Sequence, residues 1–216
     1  FFTSCVNPRT SRARLAAMRS VSARRSSASA RACSLDWRAR SSAFESMAVY
    51  QPRSFGLTLG DRDAVTVVQT GMVMAGFFPA VGVLPALGRA FTETEDIAGT
   101  PLIVLTDRLW RRMFAADPGV IGRRVALNEE AFTIVGVMPP SFDYPMDTAQ
   151  PQAFIPLSRK DYCCGRLGSQ TAVARLMPGV NLERARAELE SIAAALAREY
   201  PASNGRRSAG LRPLHQ

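Results

Sequence analysis

The sequence is nearly without lysine and histidine. Of its 27 basic residues only Lys160 is a lysine, and the sole histidine is His215, next to the last residue. Catalysis that needs an internal imidazole, a histidine-rich metal site and most lysine-based chemistry are thereby close to excluded. Cysteine is scarce as well. Cys5, Cys33, Cys163 and Cys164 make no Cys-x-x-Cys pair, which argues against a zinc ribbon or a dithiol redox motif. The α-carbons of the adjacent Cys163 and Cys164 lie about 3.8 Å apart, short of the usual disulfide span, so two free thiols in a loop are expected.

Nucleotide and nucleophile signatures are also missing. Lys160 follows Arg159 and not glycine, so there is no P-loop, and neither G-x-G-x-x-G nor G-x-S-x-G occurs. Carboxylates cluster at Glu93, Glu95 and Asp96 and at Glu129 and Glu130, in polar, turn-like contexts. Solvated surface explains such clusters far more often than acid–base catalysis. No residue is therefore assigned a catalytic, cofactor-binding or metal-ligating role. The expectation is a protein that is not an enzyme and carries no cofactor.

What is present is a globular composition, 47% hydrophobic and 21% charged, over 216 residues, enough for one domain or one domain with a tail. The formal charge is +9, which alone would point to nucleic acid, an anionic surface or a basic tail. The excess is concentrated. Residues 1–33 hold seven arginines, seven serines and no acid, whereas from residue 34 onward 20 basic residues face 18 acidic ones. The first stretch has too little bulky apolar content to offset its ordering entropy and reads as disordered. Three readings of it stay open: an organellar transit peptide, a basic arm for nucleic acid or acidic lipid, and a tail without selected function, such as an artefact of a shifted reading frame. A chain that binds nucleic acid through this arm is the alternative function. A DNA-binding assay on residues 34–216 discriminates, because a steep fall with salt would favour it.

Along the body, residues 36–47 suit a short amphipathic helix, and residues 50–59 and 64–70 read as extended. Residues 64–88 carry no charge, long enough for a membrane span, but Pro79, Pro85 and four glycines argue for a strand followed by a buried, turn-rich segment. The run TETED at 92–96 reads as an acidic turn, and PLIVL at 101–105 as a buried strand. Thr106 or Asp107 can cap a helix to about residue 116, ended by Asp117-Pro118-Gly119. Residues 123–128 and 131–137 form a hairpin, Phe154-Ile155 a short strand and residues 171–177 another. Asn181 caps a long helix whose apolar stripe is Leu182, Ala185, Leu189, Ile192 and Leu196, and a last strand starts near Gly210. The sequences VGVLP at 81–85 and VGVMP at 135–139 repeat, and two strand exits of similar geometry, or chance, account for them.

Several motifs occur in one order: LDWR at 35–38, FESM at 44–47, FFPAVGVLPALGRAF at 77–91, LWRRMF at 109–114, Asp117-Pro118, Ile121-Gly122-Arg123, AFTIVGVMPP with Ser141-Phe142 at 131–142, ARLMPGV at 174–180, and the helix from Leu182. Together they resemble the periplasmic core domain of MacB-type ABC transporter permeases, and look most like the multi-copy, FtsX-like permeases of acidobacteria. The resemblance implies a mixed α+β fold: a strand–helix–strand core subdomain built from about 34–72 and 165–216, with an inserted mixed α/β subdomain between. It also implies an extracytoplasmic domain of a bacterial inner-membrane permease, facing the periplasm. Such a domain relays motion driven by a separate or fused ABC ATPase, for export or extrusion of a substrate. A permease homodimer or heterodimer, and a periplasmic adaptor, are the implied partners, with no nucleic acid among them. Gly88, Arg89, Trp110, Gly122 and Gly136 are motif positions, read as backbone-geometry and core sites. Three departures stand out. The Arg/Ser-rich stretch is unlike a first transmembrane helix, no later membrane helix follows, and the family's Asn-Gly hairpin turn is Asn128-Glu129. A shifted frame near residue 33 with a truncated 3′ end would account for the first two. Reading the other frames of the coding DNA upstream of codon 34 tests this, and finding no apolar helix there would sink it.

Overall fold

Strand periodicity dominates the fold, and helices cover it where the sequence supplies one apolar stripe. The computed structural model describes residues 15–20, 34–58, 66–142, 150–157, 171–201 and 209–213. Within them the order is β1 (Leu15–Ser20), α1 (Ser34–Arg40), β2 (Phe44–Thr58), β3 (Thr66–Val73), α2 (Phe77–Val81), β4 (Leu87–Gly88) and α3 (Glu93–Ala98). Then follow β5 (Leu102–Leu105), α4 (Asp107–Phe114), a 3-10 turn at Pro118–Val120, β6 (Arg124–Leu127), β7 (Glu130–Val137), β8 (Ala153–Pro156), β9 (Thr171–Leu176), α5 (Leu182–Glu199) and β10 (Ala209–Pro213). This is the mixed α+β class that the resemblance implied.

All ten strands join one sheet in the order β10-β1-β9-β2-β3-β8-β5-β7-β4, with β6 bonded to both β7 and β2. The last pairing matters most. Leu57↔Leu127 and Thr58↔Ala126 return the sheet to β2, so β2, β3, β8, β5, β7 and β6 close into a ring. Closure removes free edges and encloses a core of Leu57, Val68, Ile103, Leu127, Ile134 and Ile155, stopped at one end by Leu109 and Phe114 of α4. The Thr106 hydroxyl caps α4 by accepting from the Leu109 N–H at 3.3 Å, and donates to the Gln152 carbonyl at 2.9 Å, fixing the helix to the strand before β8.

Outside the ring, the first half of β2 pairs with β9 and is buried on both faces. One face meets α2, where Phe77 and Phe78 pack with Tyr50, Phe91 and Phe154. The other meets α5, whose Ala185 and Leu189 pack on Met47, Ala174, Leu176 and Leu211. The Asn181 side chain caps α5 by accepting from the Arg184 N–H at 2.8 Å. β2 and β3 thus belong both to the flanking layer and to the ring, which share one sheet.

Several expectations change. The helix placed at 36–47 ends at Arg40, and Phe44 already begins β2, because pairing with β9 decides the second half of that segment. The TETED turn is helix α3, with Thr92 and Glu95 making a reciprocal capping box. The uncharged stretch is β3, then the five-residue α2 and β4, and among the described residues no helix is long and apolar enough to cross a membrane. The repeated segments are not two strand exits: Gly82 caps α2 in the left-handed conformation, while Gly136 lies inside β7. Residues 15–20 fall in the stretch read as disordered, yet they form β1, hydrogen-bonded between β9 and β10. Two flanking strands satisfy their backbone groups, a tertiary contribution that composition does not register. Cys5, Cys33, Lys160, Cys163, Cys164, His215 and the rest of the first 33 residues lie outside the described residues.

The β6–β7 turn puts both Asn128 (φ 47) and Glu129 (φ 72) at positive φ, as a type I′ turn requires, although glutamate stands where glycine is usual. Asn128 also fixes the ring closure, since its Oδ1 accepts from the Gly56 N–H at 2.7 Å and its own N–H donates to the Gly56 carbonyl at 2.9 Å. A left-handed non-glycine residue costs about 1–2 kcal/mol, partly offset by the extra unfolded-state entropy of glycine. Glu129→Gly is therefore expected to raise stability by about 1 kcal/mol, read from the midpoint of urea unfolding.

Candidate functional site

The motif positions converge on β7. Gly88 of β4 pairs with Gly136, and the Arg89 N–H donates to the Val135 carbonyl at 2.8 Å. The backbones approach so closely that a Cβ on Gly136 would sit 2.5 Å from the Arg89 carbonyl oxygen, and one on Gly88 would strike the Val135 carbonyl oxygen. Gly122 (φ 86) donates its N–H to the Ile134 carbonyl at 2.8 Å. The Trp110 indole N–H donates to the Asp117 carbonyl at 2.8 Å, tying α4 to the turn before β6, with the Arg111 guanidinium over its ring. The two repeated segments also meet here, because a Cβ on Gly136 would lie 3.2 Å from the Pro85 Cβ, and the Ala86 N–H that follows donates to the Val137 carbonyl at 2.8 Å. Gly88, Arg89, Gly122 and Gly136 thus set how the chain runs in and beside β7, and Trp110 anchors the helix near them.

Arg89 does more. Its guanidinium forks onto both carboxylate oxygens of Glu95 at 2.6 and 2.8 Å. That pairing, aided by bonds from Thr92, holds the Glu95 carboxyl down to about 2. The edge strand β4 is thereby clamped to the start of α3. Exposed apolar residues border this edge: Leu84 (62% exposed) in the α2–β4 connection, Ile97 on α3 and Ile121, which lies against Gly88. The edge thus presents one ion pair beside exposed aliphatic side chains.

One residue in this region carries a chemical tension that the sequence pattern did not reveal. Asp96 is 3% exposed; its Oδ2 accepts from the Ala75 N–H at 3.1 Å, and its Oδ1 has no partner among the described residues. Burial pushes its carboxyl up to about 6, with the Ala75 N–H pulling the other way and the Glu93 charge adding to the rise. The Thr-x-x-Glu spacing at 92–95 is the signal that could have found α3, and with it a fourth-position aspartate facing inward. An aspartate of pKa near 3.9 unfolded and about 6 folded binds more protons in the native state between those values. It favours folding below about pH 4, and this is lost as pH rises through 6. Wild type is expected to lose roughly 1–3 kcal/mol from this group between pH 4 and 7. Asp96→Asn should flatten stability across that window in pH-dependent melting. Glu95 acts oppositely and lower, its support fading only as pH falls from about 4.5 toward 2.

A cavity of about 300 Å³ opens between the start of α4 and the segment after β7, lined by Thr106, Asp107, Arg108, Phe142, Gln150 and Gln152. Its acid, Asp107, is held by Arg111 at 2.7 Å. Among the described residues, no three His, Cys, Asp or Glu side chains group so as to hold a metal ion.

Residues 6–192 match the family described as MacB-like periplasmic core domain. The chain belongs to that family. The match takes in the ordered motifs and begins at residue 6, well before the first of them. As a MacB-like periplasmic core domain, the chain is an extracytoplasmic domain of an ABC-type transporter permease, as the resemblance implied. No curated protein matches the sequence at a significant level. Solved structures match the fold. The periplasmic region of MacB from Actinobacillus actinomycetemcomitans aligns with a TM-score of 0.66 at 15% identity, over 93% of this chain and 88% of that one. The extracellular domain of the noncanonic ABC-type transporter YknZ from Gram-positive bacteria aligns with a TM-score of 0.63 at 9% identity, over 91% of this chain and 99% of that one. The fold of this MacB-like domain is thus shared across very distant sequences.

Proposed function

We propose that this MacB-like domain relays ATPase-driven conformational change to the periplasm, for export or extrusion of a substrate. The sheet from β1 to β10 and the helices packed on it are the working unit, part of a longer permease anchored in the bacterial inner membrane as a homodimer or heterodimer. ATP is bound and hydrolysed by a separate or fused ATPase domain, and the role of this domain is mechanical, not catalytic. A periplasmic adaptor protein is the partner suited to the exposed Leu84, Ile97 and Ile121 edge. The observation that carries the reading is the placement of the outer strands. Ala16 of β1 is the cross-strand neighbour of Pro213 of β10, so the early and late parts of the chain meet at one edge of the sheet. A domain spliced between two membrane segments needs that arrangement, because both connections must reach the same membrane face.

The test is made on the full-length permease with its ATPase, reconstituted in nanodiscs. Spin labels on position 121 of the two permease copies are expected to change separation by at least about 5 Å between the ADP and the trapped ATP state, on the scale of rigid-body domain motion. A separation independent of nucleotide would overturn the relay.

A further inference from the structure

The turn between α1 and β2 is only three residues long, and four of its donors end on one carboxylate. Glu188 of α5 accepts from the Ser41 hydroxyl at 2.6 Å, the Ser42 N–H at 2.5 Å, the Ala43 N–H at 3.1 Å and the Ser42 hydroxyl at 3.1 Å. Three of these bonds converge on Oε1. Four donors on one half-buried carboxylate is a dense cluster for a turn. Burial raises the Glu188 carboxyl, but these bonds outweigh it and hold it below its ordinary range, so the group is charged at neutral pH. Hydrogen bonds to a charged acceptor are about twice as strong as neutral ones.

The surroundings turn this cluster into a connection between elements. Trp37 of α1 packs on Ile192 and Leu196 of α5, and Arg40 pairs with Glu199 at 2.8 Å. The Ser41 N–H closes α1 on the Trp37 carbonyl. Without Glu188, the Ser42 N–H would lose the acceptor seen here, and the turn would be free to bend between α1 and the sheet. With it, α1, the turn and α5 are pinned together, and α5 is packed across β2, β9 and β10 through Leu189 and Ala185.

We propose that Glu188 is a latch that makes α1 and α5 move as one body, so that a displacement of either is carried to the other and is not absorbed at residues 41–43. This deepens the relay reading and rests on it for its direction of motion. The exposed Arg40–Glu199 pair is a secondary tie, since surface pairs contribute little.

Two measurements test it. In the isolated chain, hydrogen exchange read by NMR should show the Ser42 and Ala43 amides opening at least tenfold faster in Glu188→Ala than in wild type. Amides from Met47 onward in β2 should stay unchanged. Glu188→Gln keeps one acceptor oxygen and should fall between the two, which guards against a variant that is merely misfolded. In the full-length permease with its ATPase, spin labels at 38 and 191, with the native cysteines replaced by serine, should give one narrow distance in both nucleotide states. Glu188→Ala should broaden that distance at least twofold, and Glu183→Gln, an exposed carboxylate on the same helix, should not. If Glu188→Ala leaves both the exchange and the distance width unchanged, the latch is wrong. If both respond while the separation of the two copies ignores nucleotide, the latch stands and the relay falls.

Discussion

Phe154→Ala is expected to destabilise the domain by about 3–5 kcal/mol, read as a lower urea midpoint at unchanged slope. The ring of Phe154 is wholly buried and packs against Phe77, Phe78 and Phe142 at centroid distances of 5.6, 5.5 and 5.6 Å, two of the three edge-on. Its strand is bonded to β3 on one side and β5 on the other, so the backbone cannot shift to fill the space. Gly71 lies directly opposite on β3, and a Cβ there would come within 2.9 Å of the Phe154 ring and 2.7 Å of Tyr50. The glycine is thus the seat of the ring, and the truncated site would remain a cavity. A measured loss below about 1 kcal/mol would mean that neighbouring rings collapse into it, and would contradict this packing.

Gly88→Ala carries the second large effect, a loss of about 3 kcal/mol. A left-handed alanine costs about 1–2 kcal/mol by itself. At Gly88 (φ 72) the new Cβ would also meet the Val135 carbonyl oxygen and the Gly136 α-carbon, both backbone atoms with no rotamer to yield. Gly122→Ala is the internal control. Its φ is 86, but nothing lies within 4 Å of the added methyl, so only the conformational cost of about 1–2 kcal/mol should appear. Equal losses at the two positions would show that close approach of β4 to β7 contributes nothing. If the difference holds, the clamp from Arg89 to Glu95 should weaken with it, because β4 is what presents Arg89.

Local signals in the sequence found most elements. Asn181 caps the helix it was expected to cap, and of the two candidates Thr106 and Asp107 the first caps α4, since an Ncap bond spans only three residues. The β6–β7 hairpin and β5 follow from short alternating or apolar runs. The motif positions were legible as glycines needing special backbone geometry, and Gly88, Gly122 and Gly136 each occupy such a place. Asp96 was not legible as a buried acid. Its neighbours Glu93 and Glu95 are acidic and polar, and only the docking of α3 against Ala75 removes it from water. Glu188 was equally hidden among the charged residues of α5, because the donors it collects lie some 145 residues away in the chain.

By itself, then, the amino-acid sequence determined the family, the mixed class, and the position of strands and helices whose signals are local. Tertiary structure alone decided which strands are neighbours. Leu57 meets Leu127, and Gly56 meets Asn128, across some 70 residues, to close the ring. Phe44 becomes strand and not helix because β9 offers its edge. Backbone hydrogen-bond partners and burial are properties of the assembled sheet, and no window of sequence contains both halves of them.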